Sequence, residues 1–105
     1  MYTTTYSVAR VQGQPKMTIL CSQTFQEQYK ALLKEYSEID YEAVKRYKVY
    51  LDTVILNMPT KLAKFKQSLY FEDENIKDLE HQGHIIPFYI DKENGNILLL
   101  GIFKK

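Results

Sequence analysis

The sequence predicts an α+β domain in which an antiparallel helical hairpin lies against a small antiparallel C-terminal sheet. Three observations carry that expectation. Residues 24–58 hold two stretches with apolar side chains at helical spacing, separated by a break at Ser37-Glu38-Ile39-Asp40. Residues 84–103 hold two apolar, strand-like stretches on either side of the polar turn Lys92–Gly95. Met17–Cys21 is an apolar run short enough to be a core strand ahead of the helices. Helices and strands kept apart along the chain point to α+β rather than to an alternating α/β arrangement.

The first element is Thr3–Val11, rich in Thr, Tyr and Val and bounded by Gln12-Gly13-Gln14-Pro15. It reads as a strand or an extended arm. If Met17–Cys21 is also a strand, a turn through Gly13 and Pro15 joins the two as a hairpin. The first helix is predicted to start at Thr24, because Thr24 and Glu27 form a capping box that satisfies two otherwise unpaired backbone donors. Phe25, Tyr29, Leu32, Leu33 and Tyr36 make its apolar stripe. Asp40 is the predicted N-cap of the second helix. That helix has Val44, Tyr47, Leu51, Val54, Ile55 and Met58 on one face, with Lys45, Arg46, Lys48 and Asp52 on or near the other. Pro59 ends it, since proline disfavours a helical residue before it.

Residues 59–66 are expected to make one more helical turn or a loop, anchored by Leu62 and Phe65. Leu69-Tyr70-Phe71 is expected to begin a strand. The acidic run 72–80 follows, with Ile76 and Leu79 pointing inward. The closing hairpin is then His84–Asp91, the turn, and Asn96–Phe103. Pro87 lacks the N–H that a central strand needs, so a bulge or an edge is expected there.

At 105 residues, with 45% apolar and 26% charged side chains, the chain reads as one folded domain, its first 16 residues an N-terminal strand or arm. No apolar run approaches ~18 residues, so no membrane span is expected. The N-terminus lacks the basic and apolar regions of a secretory signal. A single cysteine, Cys21, fits a reducing, cytoplasmic setting and a buried strand position. Net charge is +1, yet it is segregated. Residues 41–66 carry six basic and two acidic side chains, a net +4, and residues 67–80 carry one basic and five acidic, a net −4. Two solvated surfaces that pair with each other would explain this, as would a basic face for a phosphate backbone.

The order strand, helix, helix, Lys-rich segment and antiparallel strands resembles the RelE/ParE superfamily of bacterial type II toxins. Three passages carry the resemblance. Ile19–Phe25 looks like the family's opening strand and first-helix phenylalanine. Gly83-His-Ile-Ile-Pro-Phe-Tyr-Ile90 looks like its Gly-(Tyr/His)-Arg-aliphatic strand, with Ile85 where the family usually has arginine. Ile97–Lys105 is similar to the closing strand of HigB-type members, which ends near Phe-x-Lys-Lys.

The resemblance implies a metal-independent mRNA endonuclease, without cofactor, that acts on free or ribosome-bound mRNA, inhibits translation and is neutralised by a cognate antitoxin. It leaves open a ParE-like DNA gyrase inhibitor, in which the helical hairpin matters most, or a catalytically silent binding module. Attack by a 2′-OH on the adjacent phosphate needs a proton acceptor, cations for the transition-state charge, and an acid for the leaving 5′ oxygen. His84 is the candidate acid/base, Lys104 and Lys105 are candidate phosphate clamps, and Tyr89 lies beside them in the terminal strands. Lys61, Lys64, Lys66 and Arg46 would extend the basic surface along RNA. Each has a plainer reading: a lone histidine is commonly a turn residue, and a terminal Lys-Lys a solubilising end. His81-Gln-Gly-His84 lacks a third ligand at clear spacing, so no metal is expected. Tyr29, Tyr36 and Tyr47 sit on helix stripes and read as core, which leaves Tyr70 and Tyr89 as the candidate exposed aromatics.

Overall fold

The structure, a computed structural model, describes residues 2–6 by their backbone and residues 17–105 in full. It is α+β: two helices packed on one face of a small mixed sheet. The elements in chain order are β1 (Tyr2–Tyr6), β2 (Thr18–Ser22), α1 (Gln23–Ser37), α2 (Tyr41–Leu56), a 3₁₀ segment (Met58–Lys64), β3 (Ile76–His81), β4 (His84–Asp91), β5 (Asn96–Leu99) and β6 (Phe103–Lys104). The sheet order is β1-β2-β5-β4-β3, with β6 also on β4. No helix among the described residues is long and apolar enough to cross a membrane.

The helical hairpin forms as the apolar stripes dictate. Phe25 and Tyr29 of α1 and Tyr47, Leu51 and Ile55 of α2 are buried against Ile19, Cys21, Ile86, Phe88, Ile97 and Leu99 of the sheet. Asp40 caps α2 as predicted, accepting the Ala43 N–H at 3.1 Å. The cap of α1 is Ser22, not Thr24. Ser22 Oγ accepts the Phe25 N–H at 3.0 Å and donates to the Leu100 carbonyl at 3.1 Å, tying the helix start to the sheet. Thr24 therefore falls inside the first turn, and Glu27 accepts instead from the Gln23 side chain. Helix α2 stops at Leu56, and Pro59 opens the 3₁₀ segment, so Met58 joins the core from beyond the helix.

The sheet departs from the expected antiparallel form. Strands β3, β4 and β5 are antiparallel neighbours, but β2 runs parallel to β5, which makes the sheet mixed. The connection from β2 to β5 runs through both helices, the 3₁₀ segment, β3 and β4, far longer than the tight turn that joins antiparallel neighbours. Strand β1 pairs antiparallel with β2. The rest of the expected first strand, Ser7–Val11, and the Gly13/Pro15 turn lie outside the described residues. Leu69-Tyr70-Phe71 is not a strand; all three are exposed in an irregular connection. The strand lies instead in the acidic run, at β3. It turns into β4 through Gln82 and Gly83, both at positive φ (47° and 84°), the backbone that a two-residue hairpin turn requires.

The expected strand Asn96–Phe103 is broken into β5 and β6. Phe88 pairs with Leu99 and Ile85 with Phe103. Two residues of β4 thus face three in the closing segment, Leu100, Gly101 and Ile102, which is a bulge. It sits beside Pro87, whose carbonyl accepts the Leu100 N–H at 2.8 Å. The side of β4 that lacks a donor is therefore the side on which the ladder is interrupted. Gln28 of α1 holds the bulge by accepting the Ile102 N–H at 2.9 Å, and a Cβ on Gly101 would approach that same Gln28 oxygen to 2.7 Å.

Ser22→Ala is expected to lower the unfolding free energy in urea by about 1 kcal/mol, whereas Thr24→Ala should change it by less than about 0.5 kcal/mol. The reverse order would contradict the assigned cap.

Candidate functional site

Alternation along β4 sends His84, Ile86 and Phe88 toward the helices and Ile85, Pro87 and Tyr89 to the opposite, outer face. The pairing of Ile85 with Glu80 and Phe103 puts those two residues on the outer face as well. The segment after the 3₁₀ turn runs along the free edge of β3: Gln67 bridges Lys77, and the Asp78 N–H reaches the Lys66 carbonyl. The chain then crosses the outer face, where Tyr70 packs edge-on against Phe103 with ring centres 4.9 Å apart. The Leu69 N–H donates to the Asp78 carboxylate at 3.0 Å and fixes that crossing.

These elements enclose a groove of about 480 Å³. Its lysines come from distant parts of the chain: Lys64 from the end of the 3₁₀ segment, Lys66 from the edge segment and Lys105 just after β6. The Lys105 N–H donates to the Gly83 carbonyl at 2.8 Å, and its ammonium Nζ lies 3.0 and 3.2 Å from the two Glu80 oxygens. Tyr70, 49% exposed, stands at the mouth, and Ile85 forms part of the floor.

Of the residues singled out from the sequence, Lys64, Lys66 and Lys105 are brought together here. The others lie elsewhere. Lys61 is exposed on the 3₁₀ segment, outside the groove lining, and Arg46 is on the exposed side of α2. Tyr89 shares the outer face but sits further along β4, between Ile76 and Leu98. Lys104 pairs with His84 and faces the helix side, so the two terminal lysines are on opposite faces. Glu80, which the sequence places beside the terminal strands, and Tyr70, a candidate exposed aromatic, line the same groove, as do Gln67 and Asp78, to which sequence reading assigned no site role.

His84 is a buried residue, 4% exposed. The Tyr36 hydroxyl lies 3.1 Å from its Nε2 and the Tyr47 hydroxyl 3.1 Å from its Nδ1. In a neutral ring one nitrogen donates and the other accepts, so both tyrosines are satisfied by one imidazole. The arrangement joins α1 and α2 to the start of β4. Burial chiefly holds the imidazole below its ordinary value near 6.5, with Lys104 and His81 adding to the effect and the Gln82 backbone opposing it. Burial also lowers His81, whose Nε2, beside the Tyr47 ring, has no hydrogen-bond partner among the described residues. Burial, reinforced by Tyr36, pushes the Tyr47 hydroxyl up to about 12. The Cys21 thiol is pushed up to about 11 by burial and then by Asp52, which makes it a poor nucleophile.

The basic and acidic blocks do not neutralise each other. The ion pairs among the described residues are Glu42–Lys45, Lys48–Asp52 and Glu80–Lys105, and none joins residues 41–66 to residues 67–80. Chemically, the groove offers the ammonium groups of Lys64, Lys66 and the Glu80-paired Lys105 for phosphate oxygens, the carboxylates of Glu80 and Asp78, and an aromatic face for a base. Among the described residues, no three His, Cys, Asp or Glu side chains are grouped to hold a metal ion.

The depressed histidines set a direction for acid stability. The unfolded chain binds protons at His81 and His84 once pH falls below about 6.5, while the native state resists them, so stability is lost as pH falls. The melting temperature should drop between pH 7.5 and 5.5, and His84→Gln with His81→Gln should flatten that drop. An unchanged slope in the double variant would contradict this reading.

The sequence matches no family model and no curated protein.

Proposed function

We propose that this protein is a RelE/ParE-type toxin that cleaves RNA in the outer-face groove without a metal and is neutralised by a cognate antitoxin. One observation carries the reading: Lys64, Lys66 and Lys105 converge on a groove that also holds Glu80 and an exposed Tyr70. The order of elements agrees with it. A strand, two helices, a Lys-rich segment and antiparallel strands follow one another as the resemblance implies.

In this reaction Glu80 takes the proton from a ribose 2′-OH, and the 2′ oxygen forms a bond to the adjacent phosphorus. Lys64 and Lys66 neutralise the non-bridging oxygens in the transition state. The bond to the 5′ oxygen breaks, and a lysine ammonium, Lys105 being the one beside Glu80, supplies the proton to the leaving group. The products are a 2′,3′-cyclic phosphate and a 5′-hydroxyl. Tyr70 gives a base a surface to stack on, worth about 1–3 kcal/mol.

A second reading, a binding module of the same fold without catalysis, is favoured by Ile85. This position is 4% exposed and apolar where the family usually carries arginine.

Purified protein is expected to cut single-stranded RNA in EDTA and leave cyclic phosphate ends. Glu80→Gln should lower kcat by roughly 10²–10⁴-fold, and Lys64→Ala/Lys66→Ala should chiefly raise KM. Growth arrest on induced expression with RNA left intact would favour a gyrase-directed toxin. Binding of RNA without cleavage would favour the silent module, and the absence of both growth arrest and RNA binding would overturn the proposal.

A further inference from the structure

Glu72–Glu74 and the outward side of α2 are not part of the groove, whose lining includes Leu69 and Tyr70. On α2, Lys45, Arg46, Val49 and Tyr50, with Glu42, line a shallow hollow of about 400 Å³. Val49 is 65% and Tyr50 60% exposed, an unusual apolar content for the outer side of a helix. Among the described residues, Lys45 is held by Glu42 at 3.8 Å and by the Tyr41 ring, and Arg46 makes no ion pair. Across the molecule, Leu69 projects at 89% exposure, with Phe71 beside it and Glu72, Asp73 and Glu74 following. Among the described residues, none of these three carboxylates makes an ion pair.

We propose that these two surfaces bind each other between copies of this chain, Leu69, Phe71 and the Glu72–Glu74 carboxylates of one seated in the α2 hollow of the next while Tyr70 keeps its contact with Phe103. The match is of two kinds. An apolar projection meets an apolar depression, and an unpaired acidic cluster meets unpaired basic side chains, which favours encounter and fixes orientation. A contact within one chain is ruled out by the layering. The hollow is on the side of α2 away from the sheet, whereas Leu69 is on the sheet face away from the helices. The contact is therefore heterologous, and each copy added leaves one free hollow and one free projection. Association does not stop at the dimer.

Sedimentation velocity over a concentration series tests this. The wild-type chain should grow beyond a dimer with concentration and return toward monomer in high salt. Lys45→Glu/Arg46→Glu and Glu72→Lys/Glu74→Lys should each weaken association by at least about tenfold, because like charges then face each other. Mixing these two double variants is the decisive arm. The first keeps its acidic projection, but its reversed hollow now favours the second variant's reversed segment, so the mixture should associate again while each alone stays monomeric. A wild-type chain that is monomeric throughout overturns the proposal. So does growth indifferent to both charge reversals, or a mixture that remains monomeric. Circular dichroism melts that match wild type keep a folding defect from being read as lost binding.

Discussion

The missing N–H of Pro87 is the constraint on which the rest of the arrangement depends. Strand β4 is the most enclosed element of the sheet, with β3 along one side and β5 and β6 along the other. A proline in such a strand removes a ladder bond, and the cost is contained by interrupting the partner at that place. The extra residue in Leu100–Ile102 does this, while Gln28 from α1 satisfies the Ile102 N–H that the bulge displaces. A one-residue shift turns every following side chain to the other face. It therefore decides that Ile102 enters the core, that Phe103 meets Tyr70, and that Lys105 rather than Lys104 enters the groove.

The two faces of the sheet consequently do different work. The helix face buries His84, and the hydroxyls of Tyr36 and Tyr47 fasten both helices to the start of β4. Removing one partner from such a buried network leaves an unsatisfied polar group, which costs roughly 1–3 kcal/mol. This face therefore serves cohesion. The outer face carries a less complete cover, with charges held near one another by separate segments, and it is there that an anionic chain finds cations, a carboxylate and an aromatic ring together.

Much of this was legible in the sequence wherever the signal was local. The helix stripes, the Asp40 cap, the stop before Pro59 and the Lys92–Gly95 turn follow from spacing and from single-residue chemistry. The N-cap of α1 was misplaced by two residues because Ser22 and Thr24 offer similar hydroxyls, and only the tertiary bond to Leu100 separates them. Strand β3 was hidden because Ile76 and Leu79 stand three apart, a helical interval, within a charged run. The parallel pairing of β2 with β5 joins residues far apart in the chain and has no local signature. The site was half legible for a similar reason. Lysines announce themselves, but which face each one takes depends on a bulge that no spacing in Ile97–Lys105 reveals, and His84 looks available until two tyrosines from different helices close over it.

The most direct test of this account compares the two terminal lysines, which are adjacent in sequence and opposed in space. Fluorescence anisotropy with a labelled single-stranded RNA, across a salt series, measures what each contributes. Lys105→Ala should weaken binding and reduce the magnitude of the log–log salt slope by roughly 0.7, the share of one phosphate contact. Lys104→Ala should leave both unchanged. Equal losses, or a loss confined to Lys104→Ala, would contradict the assignment of function to the outer face.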